Sequence, residues 1–518
     1  MLSEVMRAGC RATRVYVRTT ERVQTSDNAN TGAASTLREH APGCRVRGRY
    51  GIMGVEKIWF GVIDMEKTVA AISTANGPGG MGVIRISGEK AFEITDRVFR
   101  SVSGKKVCQM KGYTASFGRI EEDGQMIDEA VVLVFRAPHS YTGENVAEIS
   151  CHGGMYVTKR VLRAVLSAGA APAQAGEFTK RAFLNGKMGL TEAESVMDII
   201  SANGAQAARA ALSVHEGSLR KRIDLIKDRL VELAAHLAAW ADYPEDEIPE
   251  ISGTELEEGL LETRDKLREL LDGYDTGRII KEGIDTVIVG RPNVGKSTLM
   301  NLLSGCERSI VTDVPGTTRD IIEETVFLGN VPLRLSDTAG IRITDDVVES
   351  IGVKKAKERL LSAGLVFAVF DASVPFNEED VELIELLENV PAVAIVNKTD
   401  LETKTDVSLI RDKIEHVVFI SAKNGTGEKE LEKAVEDIVG YAAYDPSQGV
   451  LANERQRSDA EGAYRHINEA IEALEMGITF DAVTVVIEEA INCLLELTGE
   501  RASEAVVDKV FARFCVGK

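Results

Sequence analysis

The spacing of apolar residues along the chain changes period several times, and each change marks a different kind of element. "TVAAIST", "MGVIRIS", "AVVLVFRAP" and "NVAEISCHG" are short β-rich runs broken by Gly, Pro and Asn. Residues 65–182 therefore read as α+β. Within them "MYVTKRVLRAVLSAG" has helical spacing and stops at Gly169, a residue suited to a helix C-cap. Residues 190–275 switch to periods of three and four in "TEAESVMDIISANGAQAARAAL" and "LRKRIDLIKDRLVELAAHLAAW", where alanine is abundant. "YPEDEIPEISG" interrupts them as an acidic, Pro-bearing loop. Residues 281–440 alternate β and α, the pattern of a doubly wound parallel sheet, and residues 453–515 return to helix. The simplest architecture is an α/β unit inserted into one helical domain.

Length agrees, since 518 residues are too many for one core and suggest about three domains. No apolar run approaches the ~20 residues needed to span a bilayer. The seven cysteines (10, 44, 108, 151, 306, 493 and 515) form no Cys-x-x-Cys pair, which argues against zinc ribbons and disulfide scaffolds and fits a reducing cytosol. Net charge is −20, but residues 1–64 carry 10 Lys and Arg against 6 Asp and Glu. The remaining body is acidic enough to repel nucleic acid at long range, so RNA contact would need local patches or a second protein. Residues 1–64 are Arg-rich and lack apolar periodicity. They read as upstream sequence from a start codon placed too early, with a mitochondrial-type presequence and a disordered basic arm as the alternatives.

The strongest chemical signal lies in "IDTVIVGRPNVGKSTLMNLLSG". Residues 290–297 spell Gly-x4-Gly-Lys-Ser between a β-branched strand and a helix, the context a P-loop requires. Backbone N–H groups and the helix N-terminus would cradle phosphates. Lys296 would reach the β- and γ-phosphates and Ser297 would bind Mg²⁺. Downstream, "DTAG" (residues 337–340) offers Asp337 towards Mg²⁺ and the Gly340 N–H towards the γ-phosphate. "NKTD" (residues 397–400) ends the strand "AVAIV", and Asp400 can accept from both N1–H and the 2-amino group of guanine. Adenine presents neither donor, so the ligand is GTP rather than ATP. "SAK" (residues 421–423) backs the base with main-chain N–H, and "VTDVPGTTRD" (residues 311–320) supplies the first switch, with Thr318 as second hydroxyl ligand of Mg²⁺.

The candidate nucleotide site therefore comprises Asn293, Val294, Gly295, Lys296, Ser297 and Thr298. The switches add Thr312, Asp313, Val314, Pro315, Gly316, Thr317 and Thr318, then Asp337, Thr338, Ala339 and Gly340. Asn397, Lys398, Asp400, Ser421, Ala422 and Lys423 complete the base end.

After "DTAG" many GTPases carry a Gln that orients the attacking water. Here Ile341 follows, and no Arg is obviously delivered in cis. Asn293 could hold a monovalent cation against the phosphates, completed by main-chain and Thr oxygens of the switch, while a carboxylate orients the water. A second glycine pattern, "GPGGMG" (residues 77–82), is followed by strand-like "VIRIS" rather than a helix, so it reads as a tight turn and not a dinucleotide fingerprint.

"GRPNVGKST", "TDVPGTTRD", "DTAGIR", "NKTD", the N-terminal "GGMGVIRISG" and the C-terminal "FCVGK" together resemble the MnmE (TrmE) family of tRNA modification GTPases over about residues 65–518. "AGEFTKRAFLNGKMGLTEAE" is close and family-specific, with Ala175 where the family often has Pro. The resemblance implies a folate-binding-like α+β N-terminal domain (65–182) and a helical domain in two parts (183–280 and 441–518). An inserted P-loop GTPase domain (281–440), with a doubly wound, mostly parallel sheet, separates those parts. It implies a homodimer working in the cytoplasm with the flavoprotein MnmG (GidA), which carries FAD. Together they install an aminomethyl-type group at C5 of the tRNA wobble uridine, using a tetrahydrofolate one-carbon unit. By position, Asn293, Thr312, Val314 and Thr317 would hold K⁺, Ser297 and Thr318 would hold Mg²⁺, and Glu349 would orient water.

The folate site carries over to Arg85, Glu148, Lys187 and Lys518. By pattern alone Arg85 is a solvent-facing strand residue and Lys518 a frayed terminus. Lys518 can take part only if the last helix returns to the N-terminal domain. Cys515 reads as a buried cysteine on a helix, with a thiol nucleophile as the alternative, and Cys151 and His152 point to opposite faces of a strand. The rival class is a non-catalytic RNA or ribosome assembly GTPase, which has no reason for a folate-like domain.

Overall fold

The computed structural model describes residues 67–242, 253–305, 324–335, 360, 363–440 and 445–518. The basic N-terminal extension, residues 243–252 of the acidic loop, both switch segments, Ile341 and Glu349 lie outside them.

The first unit is a seven-stranded sheet with helices against it. Its elements are β1 (Val69–Ile72), β2 (Met81–Ser87), α1 (Ala91–Val98), β3 (Phe99–Ser101), β4 (Thr114–Glu122), β5 (Gln125–Phe135), β6 (Val146–His152), α2 (Met155–Ser167), β7 (Ala171–Pro172) and α3 (Glu177–Leu184). Strand order is β3-β4-β5-β6-β2-β1-β7, antiparallel except for β1 beside β7. Alternation decides the faces. Ile84, Ile86, Val132, Val134 and Ile149 enter a core with Ile94 of α1 and Val161 and Val165 of α2. Arg85, between two buried isoleucines, is thereby turned to the opposite face. The "GPGGMG" run covers the end of the connection from β1 to β2 and the first two residues of β2, between paired strands as its pattern predicts, with the Gly79 N–H donating to the Gly153 carbonyl at 3.1 Å.

Helices α4 (Leu190–Ser201), α5 (Ala205–His215), α6 (Ser218–Asp242), α7 (Gly253–Asp272) and α8 (Tyr274–Glu282) follow. On α6 the buried stripe Leu219, Ile223, Ile226, Leu230, Leu233 and Leu237 alternates steps of four and three, so a single face meets the core.

The inserted unit is a six-stranded sheet. Its elements are β8 (Ile284–Val289), α9 (Lys296–Gly305), β9 (Glu324–Leu328), β10 (Val331–Leu335), β11 (Leu365–Asp371), α10 (Glu378–Leu386), β12 (Ala392–Asn397), α11 (Ser408–Arg411), β13 (His416–Phe419) and α12 (Glu428–Val439). The order is β13-β12-β11-β8-β10-β9, parallel throughout except for the β9–β10 hairpin. β11 ("LVFAVFD") is buried at every position because both sheet faces are covered.

The chain then rejoins the helices through α13 (Glu454–Glu475), α14 (Phe480–Thr498) and α15 (Glu504–Phe511). Ala460, Ala463, Ile467 and Ala470 of α13 meet Val483, Ile487, Ala490 and Leu494 of α14 in the same core as the stripe of α6. One hydrophobic core is thus built from two sequence segments, with the α/β unit between them. The fold is multidomain, α+β and α/β, as the periodicity predicts.

A charged knot holds α3 to the first sheet. Arg181 is fully buried, and its guanidinium reaches Glu177 Oε1 at 2.7 Å and both Glu144 carboxylate oxygens at 3.1 Å. Ser87 Oγ also donates to Glu144 Oε2 at 2.7 Å. Removing the guanidinium would strand two carboxylates in a poorly solvated place. Arg181→Ala should therefore destabilise the protein by about 3–5 kcal/mol. Urea unfolding at neutral pH measures this, and a loss below about 1 kcal/mol would show the knot to be dispensable.

Candidate functional site

β8 delivers the chain to the glycine-rich turn at the carboxyl edge of the parallel sheet, where α/β proteins bind ligands. The turn needs unusual backbone. Gly295 has φ 103, and a Cβ there would sit 2.2 Å from Asn397 Nδ2. Asn293 is exposed on left-handed backbone at φ 66, a conformation Asn tolerates better than most residues. Val294 is buried, and its carbonyl accepts from Asn397 Nδ2 at 2.9 Å. Lys296 begins α9 and donates to the carbonyls of Gly290 at 2.5 Å and Arg291 at 2.7 Å. Burial pushes its pKa below the ordinary lysine value. Ser297 and Thr298 are exposed in the first turn of α9.

β12 ends at Asn397, whose side chain is 2% exposed and uses both ends of its amide. Nδ2 holds the P-loop through Val294, while Oδ1 accepts from the Ala422 N–H at 3.0 Å. Asp400 is exposed and accepts from Ser421 Oγ at 2.7 Å. That hydroxyl is the main cause holding its carboxyl below the usual range, so it presents an ionised acceptor to solvent. Lys398, at φ 68, donates to Asp371 Oδ2 at 2.5 Å. Burial pushes the Asp371 pKa up, but the bonds from Lys398 and from the Ser373 hydroxyl and N–H outweigh it and hold the group low. Lys423 is exposed beside this cluster.

The structure thus brings together the P-loop residues, Asn397, Lys398, Asp400, Ser421, Ala422 and Lys423. Thr312, Asp313, Val314, Pro315, Gly316, Thr317, Thr318, Asp337, Thr338, Ala339, Gly340 and Glu349 lie outside the described residues. Sequence reasoning missed Asp371, which fixes Lys398, and Thr405, whose hydroxyl donates to the Asp371 carbonyl at 2.8 Å. The only signal for Asp371 is a carboxylate ending a wholly apolar strand.

A second cluster sits on the first sheet. Arg85 and Glu148 are register partners on β2 and β6, with Arg85 Nε 2.9 Å from Glu148 Oε1. The pair is mostly buried, and the guanidinium lies over the rings of Tyr141 at 5.4 Å and Phe178 at 5.5 Å. The solvent-facing reading of Arg85 from pattern alone is corrected, because α3 and the loop carrying Tyr141 cover that face. Lys187 donates to the Pro138 carbonyl at 3.1 Å.

The C-terminal residues return to this unit. Val516 bridges Ala175, the Phe178 N–H donates to the Lys518 carbonyl at 3.1 Å, and Ser73 Oγ donates to the Gly517 carbonyl at 3.0 Å. Gly517 has φ 100, and any Cβ there would lie 2.1 Å from the Ile72 carbonyl oxygen. Lys518 is therefore seated rather than frayed.

Cys515 is also corrected. It is exposed and lies beyond the end of α15, since the helical spacing of "VVDKVFARFC" outlasts the helix itself. Cys151 is buried while His152 is exposed and bonded to Asp128 at 2.7 Å, so their opposite faces are as the strand period predicts. Burial, with help from Asp128, pushes the Cys151 thiol up to about 11.

Asn397→Ala would leave the Val294 carbonyl and the Ala422 N–H without their partner. Guanine nucleotide affinity should fall roughly 30-fold, about 2 kcal/mol. Titration with a fluorescent GDP analogue checks this, and an unchanged dissociation constant would refute the tether.

Comparison with known proteins identifies the domains of the chain. The family description "MnmE helical domain" matches residues 190–515, and "GTP-binding protein TrmE N-terminus" matches residues 68–187. The chain is 42% identical over 457 residues to the tRNA modification GTPase MnmE of Clostridioides difficile, covering 88% of this chain and all of that one. It is 42% identical over 459 residues to the protein of that name from Alkaliphilus oremlandii, with the same coverage. Identity is 44% over 457 residues to that from Symbiobacterium thermophilum, again across 88% of this chain and all of the relative. With both of its characteristic domains matched and its relatives spanned end to end, this chain belongs to the MnmE family of tRNA modification GTPases.

Proposed function

We propose that this chain is a K⁺-dependent GTP hydrolase acting in tRNA modification. With the flavoprotein MnmG it would install an aminomethyl-type group at C5 of the wobble uridine, using a tetrahydrofolate one-carbon unit. The observation that carries the reading is the exposed, ionised Asp400 carboxylate held by Ser421 on the loop that Asn397 ties to the P-loop. That arrangement suits a guanine N1–H and 2-amino pair next to a triphosphate cradle.

The residues fit the groups they would hold. Asn293 presents its amide from exposed left-handed backbone, and Ser297 opens α9 with an exposed hydroxyl. Asn293, Thr312, the Val314 carbonyl and Thr317 would hold K⁺, and Ser297 and Thr318 would hold Mg²⁺. When bound, K⁺ would place positive charge beside the transferring phosphoryl group, the part an arginine finger plays elsewhere. Glu349 would orient the attacking water. On the first sheet, an acceptor carboxylate, a guanidinium and two aromatic rings suit a planar heterocycle bearing N–H donors. Arg85, Glu148, Lys187 and Lys518 would therefore hold folate.

The domain division follows the same reading: 65–182 for folate, 183–280 and 441–518 helical, 281–440 for GTP, with residues 1–64 an extension. The chain would act as a cytoplasmic homodimer, and among the described residues no helix is long and apolar enough to cross a membrane. GTP turnover would move the GTPase domain rather than perform the carbon chemistry. The β9–β10 hairpin supports this, because it joins the two switch segments in sequence and packs Phe327 against Gly204 at the start of α5. The loss of a γ-phosphate that orders the switches would thus reach the helical core.

Two measurements test the reading. Exchanging K⁺ for Na⁺, or introducing Glu349→Ala, should each lower GTP turnover at least tenfold, and neither doing so would remove the cation assignment. Glu148→Gln should abolish binding of 5-formyl-tetrahydrofolate by the full chain. If the folded wild-type protein does not bind it at all, the assembly-GTPase reading takes over.

A further inference from the structure

The P-loop has a second anchor that nothing in the nucleotide motifs requires. Arg291 Nε lies 2.8 Å from Asp380 Oδ1, with the Asp380 side chain 1% exposed and that of Arg291 19% exposed. The N–H axis is off line, so this is an ion pair rather than an aligned hydrogen bond, and neither atom has another hydrogen-bond partner among the described residues. Each buried charge therefore depends on the other.

Asp380 divides its carboxylate between two tasks. Oδ2 accepts from the Asn377 N–H at 3.1 Å, closing the capping box of α10, while the Asp380 N–H donates to Asn377 Oδ1 at 3.1 Å. The cap fixes the side chain, and the N-terminal end of the α10 dipole favours its charge. Oδ1 is left to face Arg291. α10 follows β11, the sheet neighbour of β8, so the pair spans two adjacent turns at the carboxyl edge of the sheet.

What Arg291 holds is the front half of the loop. Asn397 secures the rear at Val294. Lys296, the group that reaches the β- and γ-phosphates, rests on the carbonyls of Gly290 and Arg291. A shift of the Arg291 peptide would therefore move the seat of that ammonium. We propose that Asp380 is a positioning residue for GTP hydrolysis, acting through Arg291 to fix the front of the P-loop and the resting place of Lys296. The inference rests on the GTP-hydrolase reading above. It assigns Asp380 no contact with nucleotide.

Asp380→Asn separates the tether from the cap, because the amide oxygen can still accept from the Asn377 N–H while the charge facing Arg291 is gone. The full chain is assayed in K⁺ and Mg²⁺ for GTP turnover, for affinity towards a fluorescent GDP analogue, and for melting temperature. The expected result is a kcat at least tenfold lower and a lower melting temperature, because Arg291 keeps an unpaired charge, with the GDP-analogue dissociation constant changed less than threefold. In the double variant Arg291→Met with Asp380→Asn, which removes both charges and keeps the acceptor of the cap, any lost melting temperature should return but kcat should not. A kcat within twofold of wild type in Asp380→Asn would overturn the proposal. So would parallel losses in kcat, affinity and melting temperature that the double variant repairs together, since those mark a purely structural pair. Absence of GTP turnover in the wild-type protein would instead refute the hydrolase reading on which the proposal stands.

Discussion

The nucleotide site hangs on one planar side chain. Asn397 donates to the P-loop with one end of its amide and accepts from the loop behind the base with the other. A rigid amide cannot lengthen, so the spacing between the P-loop and the Ser421–Lys423 loop is set by the protein itself. That is the sense in which such sites are preorganised. At 2% exposure the amide has no water to replace a lost partner, which makes the arrangement all or nothing. Other features follow from it. Gly295 must be glycine because the amide occupies the space of its Cβ, and Lys398 takes left-handed backbone where the chain turns out of β12 towards Asp400.

The same economy joins segments far apart in the described chain. α13 and α14 complete the core begun by α6 and α7, so the helical unit cannot be finished until the chain has passed through the inserted sheet. The last residues then lie along the first sheet, with Val516 bridging Ala175 and Gly517 close to Ile72. Phe178, which lies under the Arg85 guanidinium, is thereby tied to the C-terminal residues. A glycine at 517 serves that closure directly, because no other residue fits against the Ile72 carbonyl.

Much of this is legible in the residues, for identifiable reasons. Long amphipathic stripes such as that of α6 repeat a spacing that only a helix satisfies, and strand-turn-helix glycine motifs carry their own context. Closely spaced local motifs pick out the two loops that Asn397 ties together. What escaped were pairings between segments distant in sequence. Arg85 looked solvent-facing because nothing local announces that Tyr141 and Phe178 will cover it. Cys515 looked buried because apolar spacing continues past the point where α15 stops. Asp371 and Asp380 sit in a strand end and a helix cap, positions with ordinary structural uses, and their charge partners appear only when the sheet is assembled.

The relation between the two larger units turns on a hairpin. β9 follows one switch segment, β10 precedes the other, and their strands are paired residue by residue, so neither can shift alone. β10 is also paired with β8, the strand that carries the P-loop. On its outer side the hairpin meets α5, where a Cβ at Gly204 would come within 2.9 Å of the Phe327 ring. Ala207 and Ala210 of the same helix pack against the core of the inserted sheet. Small residues on α5 thus let a helix of one unit lie directly on the sheet of the other. The contact of Phe327 at Gly204 is where a movement of β9 would meet α5, and α5 is continuous through a short turn with α6 and the helical core. The contact therefore joins the hairpin edge of the inserted sheet to the helical framework.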